Sequence, residues 1–171
     1  MTTEEPPLRV DWIETSLWPG HLGLSAAPGR QGGIHNRDLE ADLKRLRHDY
    51  GVQTLVSLLS VNEAKANGLG RYDAQADDIG FDVIHHAMPD VPADLRAYTA
   101  FVDEVMNRLL DGETVAVHGL GGRGRGGVLA ASLLIQAGMD AEQALDVVRT
   151  ARAGAVPTEA QERFVEQFAE V

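Results

Sequence analysis

Apolar positions along the chain alternate between two kinds of run. Val52–Leu59 reads VQTLVSLL, a continuous β-branched and leucine-rich stretch of the kind that forms a strand buried on both faces. Phe81–Ala87 and Thr114–Val117 are further runs of this type. Between and after them the spacing becomes helical. Leu39, Leu43, Leu46 and Tyr50 share one face of a predicted helix capped by Asn36 and stopped at Gly51. Glu63–Gly80 reads as helix in pieces, broken at Gly68 and Gly70. Asp94 is a fitting N-cap for a helix whose Tyr98, Phe101, Val102, Val105, Met106 and Leu109 line one side until Asp111-Gly112.

Two further features complete the outline. Val10–Ile13 and His21–Ala26, separated by the turn signal Trp18-Pro19-Gly20, predict a small antiparallel edge. After the third strand come GLGGRGRGG (119–127) and VLAASLLIQA, which is apolar all round and therefore a central, buried helix. Asp140 with Gln143 and Thr158 with Gln161 have capping-box spacing and open two C-terminal helices. Strands separated by helices and followed by helices predict an α/β sandwich around a short, mainly parallel sheet. Residues 1–8 are expected to be a flexible leader and 9–171 a single domain, the usual size for a chain of 171 residues.

Composition narrows the chemistry. Fifteen basic against 26 acidic residues, net −11, argue against an extended nucleic-acid footprint, so any anion site must be local. The opening MTTEEPPLRV lacks the basic and apolar regions of a secretory signal, and no apolar run approaches a membrane span, so a cytoplasmic location is expected. With no cysteine, disulfides, thiolate metal sites and thiol catalysis are excluded in the chain as written. His85 and His86, adjacent in a strand, point to opposite faces and cannot share a metal; neither a metal nor a cofactor is expected.

The nine residues 119–127 hold six glycines and two arginines between a strand and a helix. Glycines leave backbone N–H groups unobstructed, and a helix N-terminus adds unpaired donors and its positive dipole end, so the segment suits an oxyanion. Arg125 and Arg123 supply charge, and an arginine can hold two phosphate oxygens at once. A Walker loop is excluded because no lysine and no hydroxyl follow. Gly119, Gly121 and Gly124 satisfy a dinucleotide fingerprint, but the predicted helices beyond Gly138 leave no strand to present an acid to a ribose.

Val115–Gly127 resembles the phosphate loop of the tyrosine and dual-specificity phosphatases, V-x-V-H-C-x-x-G-x-x-R-[ST]-G, differing at two letters. It is most similar to the kinase-associated, cyclin-dependent-kinase-inhibitor-type branch. Leu22–Arg30, the Val52 strand, Pro89-Asp90 and Arg152–Phe164 also fall where that branch has similar segments. The resemblance implies a dual-specificity-phosphatase-like α/β domain, its central, mainly parallel sheet flanked by helices on both faces. It implies a phosphate-binding loop over Gly119, Leu120, Gly121, Gly122, Arg123, Gly124 and Arg125. Arg125 would be the phosphate-holding arginine, Asp90 the general acid, His118 the residue tuning the nucleophile and Gln161 the positioner of water. Gly119 stands at the nucleophile position and Gly126 at the hydroxyl position, so both groups that form and resolve a phosphoenzyme are missing.

Several readings of function follow. A glycine offers no attacking atom, so the first is a pseudophosphatase that holds phosphate, sulfate or a phosphorylated ligand without hydrolysing it. The second is an active phosphatase seen as an inactivated variant; another is water attack assisted by Asp90; a protein-interaction surface is also open. Asp94 rivals Asp90 as acid, unless it caps a helix. Arg123 is expected at the rim, Gln161 has a capping role that explains it without chemistry, and Arg30, Arg149 and Arg152 are candidates for positive potential around the mouth.

Overall fold

The computed structural model describes residues 5–171. Strand β1 (Asp11–Trp12) pairs antiparallel with β2 (His21–Ser25), the predicted edge. A two-stranded hairpin, β3 (Gln31–Gly32) and β4 (His35–Asn36), precedes helix α1 (Leu39–Lys44), which closes in a π-helical turn over Arg45–Asp49. Then come β5 (Thr54–Ser57), α2 (Val61–Ala66), α3 (Tyr72–Ile79), β6 (Asp82–His85), α4 (Leu95–Leu110) and β7 (Thr114–His118). Helices α5 (Arg125–Gln136), α6 (Ala141–Ala151) and α7 (Glu159–Phe168) complete the chain.

The main sheet runs β1-β2-β7-β5-β6, with β2, β7, β5 and β6 parallel and β1 reversed. Strand β7 takes the centre because both its faces are apolar. Val115 and Val117 pack with Leu22, Leu24 and Val56 against α4, α5, α6 and α7, whereas Ala116 joins Leu55 on the side of α1 and α3. Helix α5 is buried from Gly126 to Leu134, as its all-apolar sequence requires. Tyr98 places its hydroxyl on Ser132 (2.8 Å), satisfying the polar end of a fully buried ring. No helix among the described residues is long and apolar enough to cross a membrane.

Three details depart from the pattern reading. The first helix starts at Leu39, capped by Asp38, whose carboxylate accepts from Ala41 N (3.0 Å). Asn36 instead belongs to β4, because Gly32 and Gly33 adopt positive φ and turn the chain into a hairpin there. Helix α5 begins at Arg125, so Gly126 and Gly127 are helical; a Cβ at 127 would lie 3.1 Å from Val156 N, which explains the second glycine. Thr158 and Gln161 form a reciprocal capping box, but Asp140 only accepts from Gln143 N.

Of the leader expected over 1–8, residues 1–4 lie outside the described residues. Its second half is held: Glu5 pairs with His35 (3.0 Å), and Leu8 is buried against α1 and β5 residues. Asp38→Ala is expected to cost about 1 kcal/mol in denaturant unfolding, as loss of an N-cap does, whereas Asn36→Ala should change the midpoint little. A larger loss in Asn36→Ala than in Asp38→Ala would show that Asn36 is the true cap.

Candidate functional site

The loop 119–124 leaves the carboxyl end of β7 and enters α5, and its backbone polar groups divide sharply. All the carbonyls but that of Gly122 are tied to the body of the protein, Gly119 O by His118 Nδ1 (3.1 Å). Leu120 O accepts from Ala27 N (2.8 Å), Gly121 O from the Arg152 guanidinium (2.7 Å), Arg123 O from Val156 N (3.0 Å) and Gly124 O from Val128 N (3.0 Å). The amides of 120–124 donate to no acceptor among the described residues. A loop whose carbonyls are bound and whose N–H groups are left over is a concavity for an anion. Only Gly122 here needs positive φ (80°), and a Cβ there would lie 2.3 Å from Ser25 O, so glycine is required twice over.

Arg125 stands on the first turn of α5 with its side chain 11% exposed. Its Nη1 is pinned by Glu63 Oε1 (2.9 Å), Met88 O (3.2 Å) and Leu58 O (3.4 Å). Nε and Nη2 make no hydrogen bond among the described residues and face position 119. A Cβ built on Gly119 would lie 3.3 Å from Nε and 3.6 Å from Nη2. Two donors of the guanidinium fork are therefore presented where a side chain or ligand at 119 would sit. The sequence pattern does not mark Glu63 as a site residue. Ser60-x-x-Glu63 is a capping-box signature directly after the β5 run, but its pairing with a residue 62 positions away is invisible in sequence. The Arg125 guanidinium holds the Glu63 carboxyl below the usual range, against its partial burial, with help from the Ser60 amide.

His118 is 1% exposed beneath the loop. Burial pushes its pKa down to about 4, against the raising effect of the Gly119 carbonyl, so the ring is neutral near pH 7. Its Nδ1 faces Gly119 O (3.1 Å), which can only accept, so the proton is on Nδ1 and Nε2 accepts from the Tyr72 hydroxyl (2.7 Å). Burial pushes the Tyr72 phenol up, keeping that O–H in place. His118 thus orients the start of the loop through its carbonyl.

The remaining expected residues fall into distinct places. Asp90 is exposed, and the structure fixes its main chain: its carbonyl accepts from Gln161 Nε2 (3.0 Å). Gln161, 1% exposed, therefore caps α7 and also tethers the 88–90 loop, close enough to Gly124 that a Cβ there would lie 3.0 Å from its amide. Asp94 is the cap of α4, accepting from Ala97 N (3.0 Å). Arg123 is exposed at the rim, with Nε on Ala153 O (3.2 Å). A Cβ on Gly126 would meet Leu24 and Val117 at 3.7 and 3.9 Å.

Arg152 does not line the mouth. It is buried behind the loop between Gly121 O and Asp11 (2.6 Å). Arg149 braces Ala155 O and Val156 O (3.2 and 3.0 Å). Val156, which donates to Arg123 O, holds φ at 52°, a left-handed conformation that a β-branched residue keeps only when its surroundings enforce it. None of these supports was legible, because each is a contact between segments far apart in sequence. His85 and His86 do diverge: His85 Nε2 meets Asp73 (2.6 Å), and His86 stacks on Phe101 at 4.2 Å.

Comparison with known proteins identifies the family and the fold. The family described as "Polymorphic toxin system, DSP-PTPase phosphatase" (Tc-R-P) matches residues 29–139. Cyclin-dependent kinase inhibitor 3 of Sus scrofa is 26% identical over 171 residues, 96% of this chain and 80% of that protein. A crystal structure of kinase-associated phosphatase with its catalytic-site cysteine substituted by serine superposes with TM-score 0.89 at 26% identity, covering 98% of this chain and 97% of the other. The active form of Tk-PTP has the same fold, with TM-score 0.74 at 23% identity over 94% of this chain and 96% of its own.

The buried neutral His118 makes stability depend on acidity. Its folded pKa, about 4, lies below the unfolded histidine value, so the unfolded chain binds the extra proton first and stability falls as pH drops from about 6.5 towards 4. The loss attributable to His118 is expected to be on the order of 3 kcal/mol, read as a falling urea midpoint, and His118→Asn should flatten that stretch of the profile. An unchanged slope in the variant would assign the acid sensitivity elsewhere.

Proposed function

The chain belongs to this DSP-PTPase phosphatase family, and from that premise we propose that it is a pseudophosphatase: it binds a phosphate group, or a phosphorylated ligand, in the loop from Gly119 to Arg125 without cleaving it. One observation carries the reading. The position whose side chain would face the Nε and Nη2 donors of Arg125 is a glycine, and no cysteine exists anywhere in the chain. The five unpaired amides, the dipole end of α5 and the guanidinium fork remain, and these are the groups that bind an oxyanion. Covalent attack on phosphorus from position 119 has no side-chain atom to begin from. Gly126, at the hydroxyl position, offers nothing to break down a phosphoenzyme either.

Within that reading, Leu120, Gly121, Gly122, Arg123 and Gly124 contribute amides, and Arg125 contributes charge and a bidentate fork. Asp90 is the candidate general acid, idle without a nucleophile; Gln161 and His118 position the loops rather than react. Sulfate would serve as a phosphate stand-in. The names of the relatives, a kinase-associated phosphatase and a cyclin-dependent kinase inhibitor, point to a phosphorylated protein as the physiological ligand. A second reading, an active phosphatase whose nucleophile has been lost, is favoured by what borders position 119: the atoms nearest a Cβ there, at 3.3 Å and beyond, all belong to the flexible Arg125 side chain.

Inorganic phosphate is expected to stabilise the parent chain, by about 2.7 kcal/mol at a hundredfold excess over Kd, and to leave Arg125→Ala unmoved. A shift of the same size in Arg125→Ala would remove the cradle assignment. No phosphate release from an aryl phosphate should rise above background; release that disappears in Arg125→Ala would overturn the pseudophosphatase reading. Gly119→Cys should accumulate covalent phosphate visible by mass spectrometry, because no hydroxyl follows to resolve it. Rapid turnover by that variant would favour the second reading.

A further inference from the structure

Strand register aligns a row of polar residues at the carboxyl ends of the parallel strands. Ser25 lies opposite His118, His118 opposite Ser57, and Ser57 opposite His85. Registered neighbours in a parallel sheet project to the same face, and this row faces α2 and α3. Over it lies a cavity of about 130 Å³, close to the ~150 Å³ at which a protein cavity takes up benzene. No residue of the 119–125 loop lines it, so it is separate from the proposed cradle.

The cavity has an internal order. Leu59, Leu69 and Ala64 form apolar wall, while Lys65 and Asp73 stand exposed at the mouth. The floor is Ser57, Tyr72 and His118, all buried, with no formal charge. The Tyr72 O–H is committed to His118 Nε2, leaving a Tyr72 lone pair as acceptor. The Ser57 oxygen accepts only a long contact from Leu59 N (3.5 Å), and its O–H donates to nothing among the described residues. A ligand head reaching the floor must therefore be neutral and must both accept from Ser57 and donate to Tyr72. A hydroxyl does both; a carboxylate, phosphate or ammonium does not. Tyr72 meets His118 at 5.3 Å and His85 at 6.3 Å between ring centroids, so three aromatic rings surround the space and suit a fourth.

We propose that this cavity is a binding site for a phenol, its ring against Leu59 and Leu69 and its hydroxyl on Ser57 and Tyr72. The assignment stands independently of what the loop at 119–125 binds. The phenol comes either as a free small molecule or as the unphosphorylated tyrosine side chain of a peptide, and both share the same recognition chemistry.

The test is a titration of the full chain, followed by amide chemical shifts, with p-cresol beside toluene and with N-acetyl-tyrosinamide beside N-acetyl-phenylalaninamide. The expected result is saturable shifts centred on Ser57, Leu69 and Tyr72 with p-cresol, and binding of toluene roughly tenfold weaker because it leaves the floor unpaired. Ser57→Ala should close most of that gap, and Ala64→Leu, which fills the cavity from its apolar wall and leaves the polar floor residues in place, should remove p-cresol binding while the far-UV spectrum stays native. Parallel binding of the tyrosine derivative assigns a peptide side chain as the source; its failure beside p-cresol binding assigns a free phenol. Equal affinity for p-cresol and toluene, shifts centred elsewhere, or no saturable shift up to roughly 10 mM p-cresol would overturn the proposal.

Discussion

The candidate anion site of this domain depends on how one six-residue loop disposes of its backbone polar groups. A peptide carries a donor and an acceptor, and a buried segment must find partners for both. Here five of the six acceptors are taken, by His118, Ala27, Arg152, Val156 and the first turn of α5, and the amides of 120–124 are left over. The arrangement holds only while the surrounding segments keep their places. Arg152 is buried for this purpose, lowering its pKa against the counter-effect of Asp11, and Val156 keeps a left-handed backbone to reach Arg123 O. The strained left-handed backbone of a non-glycine residue lies outside the loop, at Val156, while inside it a glycine, Gly122, takes the positive φ.

The charge balance makes the same point. A chain of net −11 repels anions at long range, so an anion site must concentrate positive potential locally. Arg125 is not left to move freely. Glu63, Met88 O and Leu58 O hold one end of its guanidinium, which orients the other two nitrogens at position 119. An orienting carboxylate weakens the net charge but reduces the ordering cost of a long side chain, which favours geometric recognition over simple attraction. Leu58 follows β5, Met88 follows β6 and Arg125 follows β7, so the candidate site is assembled at the carboxyl ends of these three strands.

Strand, glycine-rich loop and buried helix were legible from residue pattern alone, as were the central apolar runs and the antiparallel edge, because each is a local signal of a few residues. So were the absence of cysteine and the coincidence of His118, Gly119 and Arg125 with a phosphatase loop. Local signals misled where two competed: Asn36 and Asp38 are both good caps, and only the glycine hairpin at 32–33 decided between them.

Tertiary structure decided the rest for a definite physical reason. Glu63 meets Arg125 across 62 positions, Gln161 meets Asp90 across 71, and Arg152 meets Asp11 across 141. Each pairing depends on sheet order, which no single segment encodes. The row from Ser25 to His85 exists only because four strands end in register. The sequence by itself determined which chemistry is present at the loop and which is missing; the fold decided where each donor points, since direction is a property of packed neighbours and not of residue type.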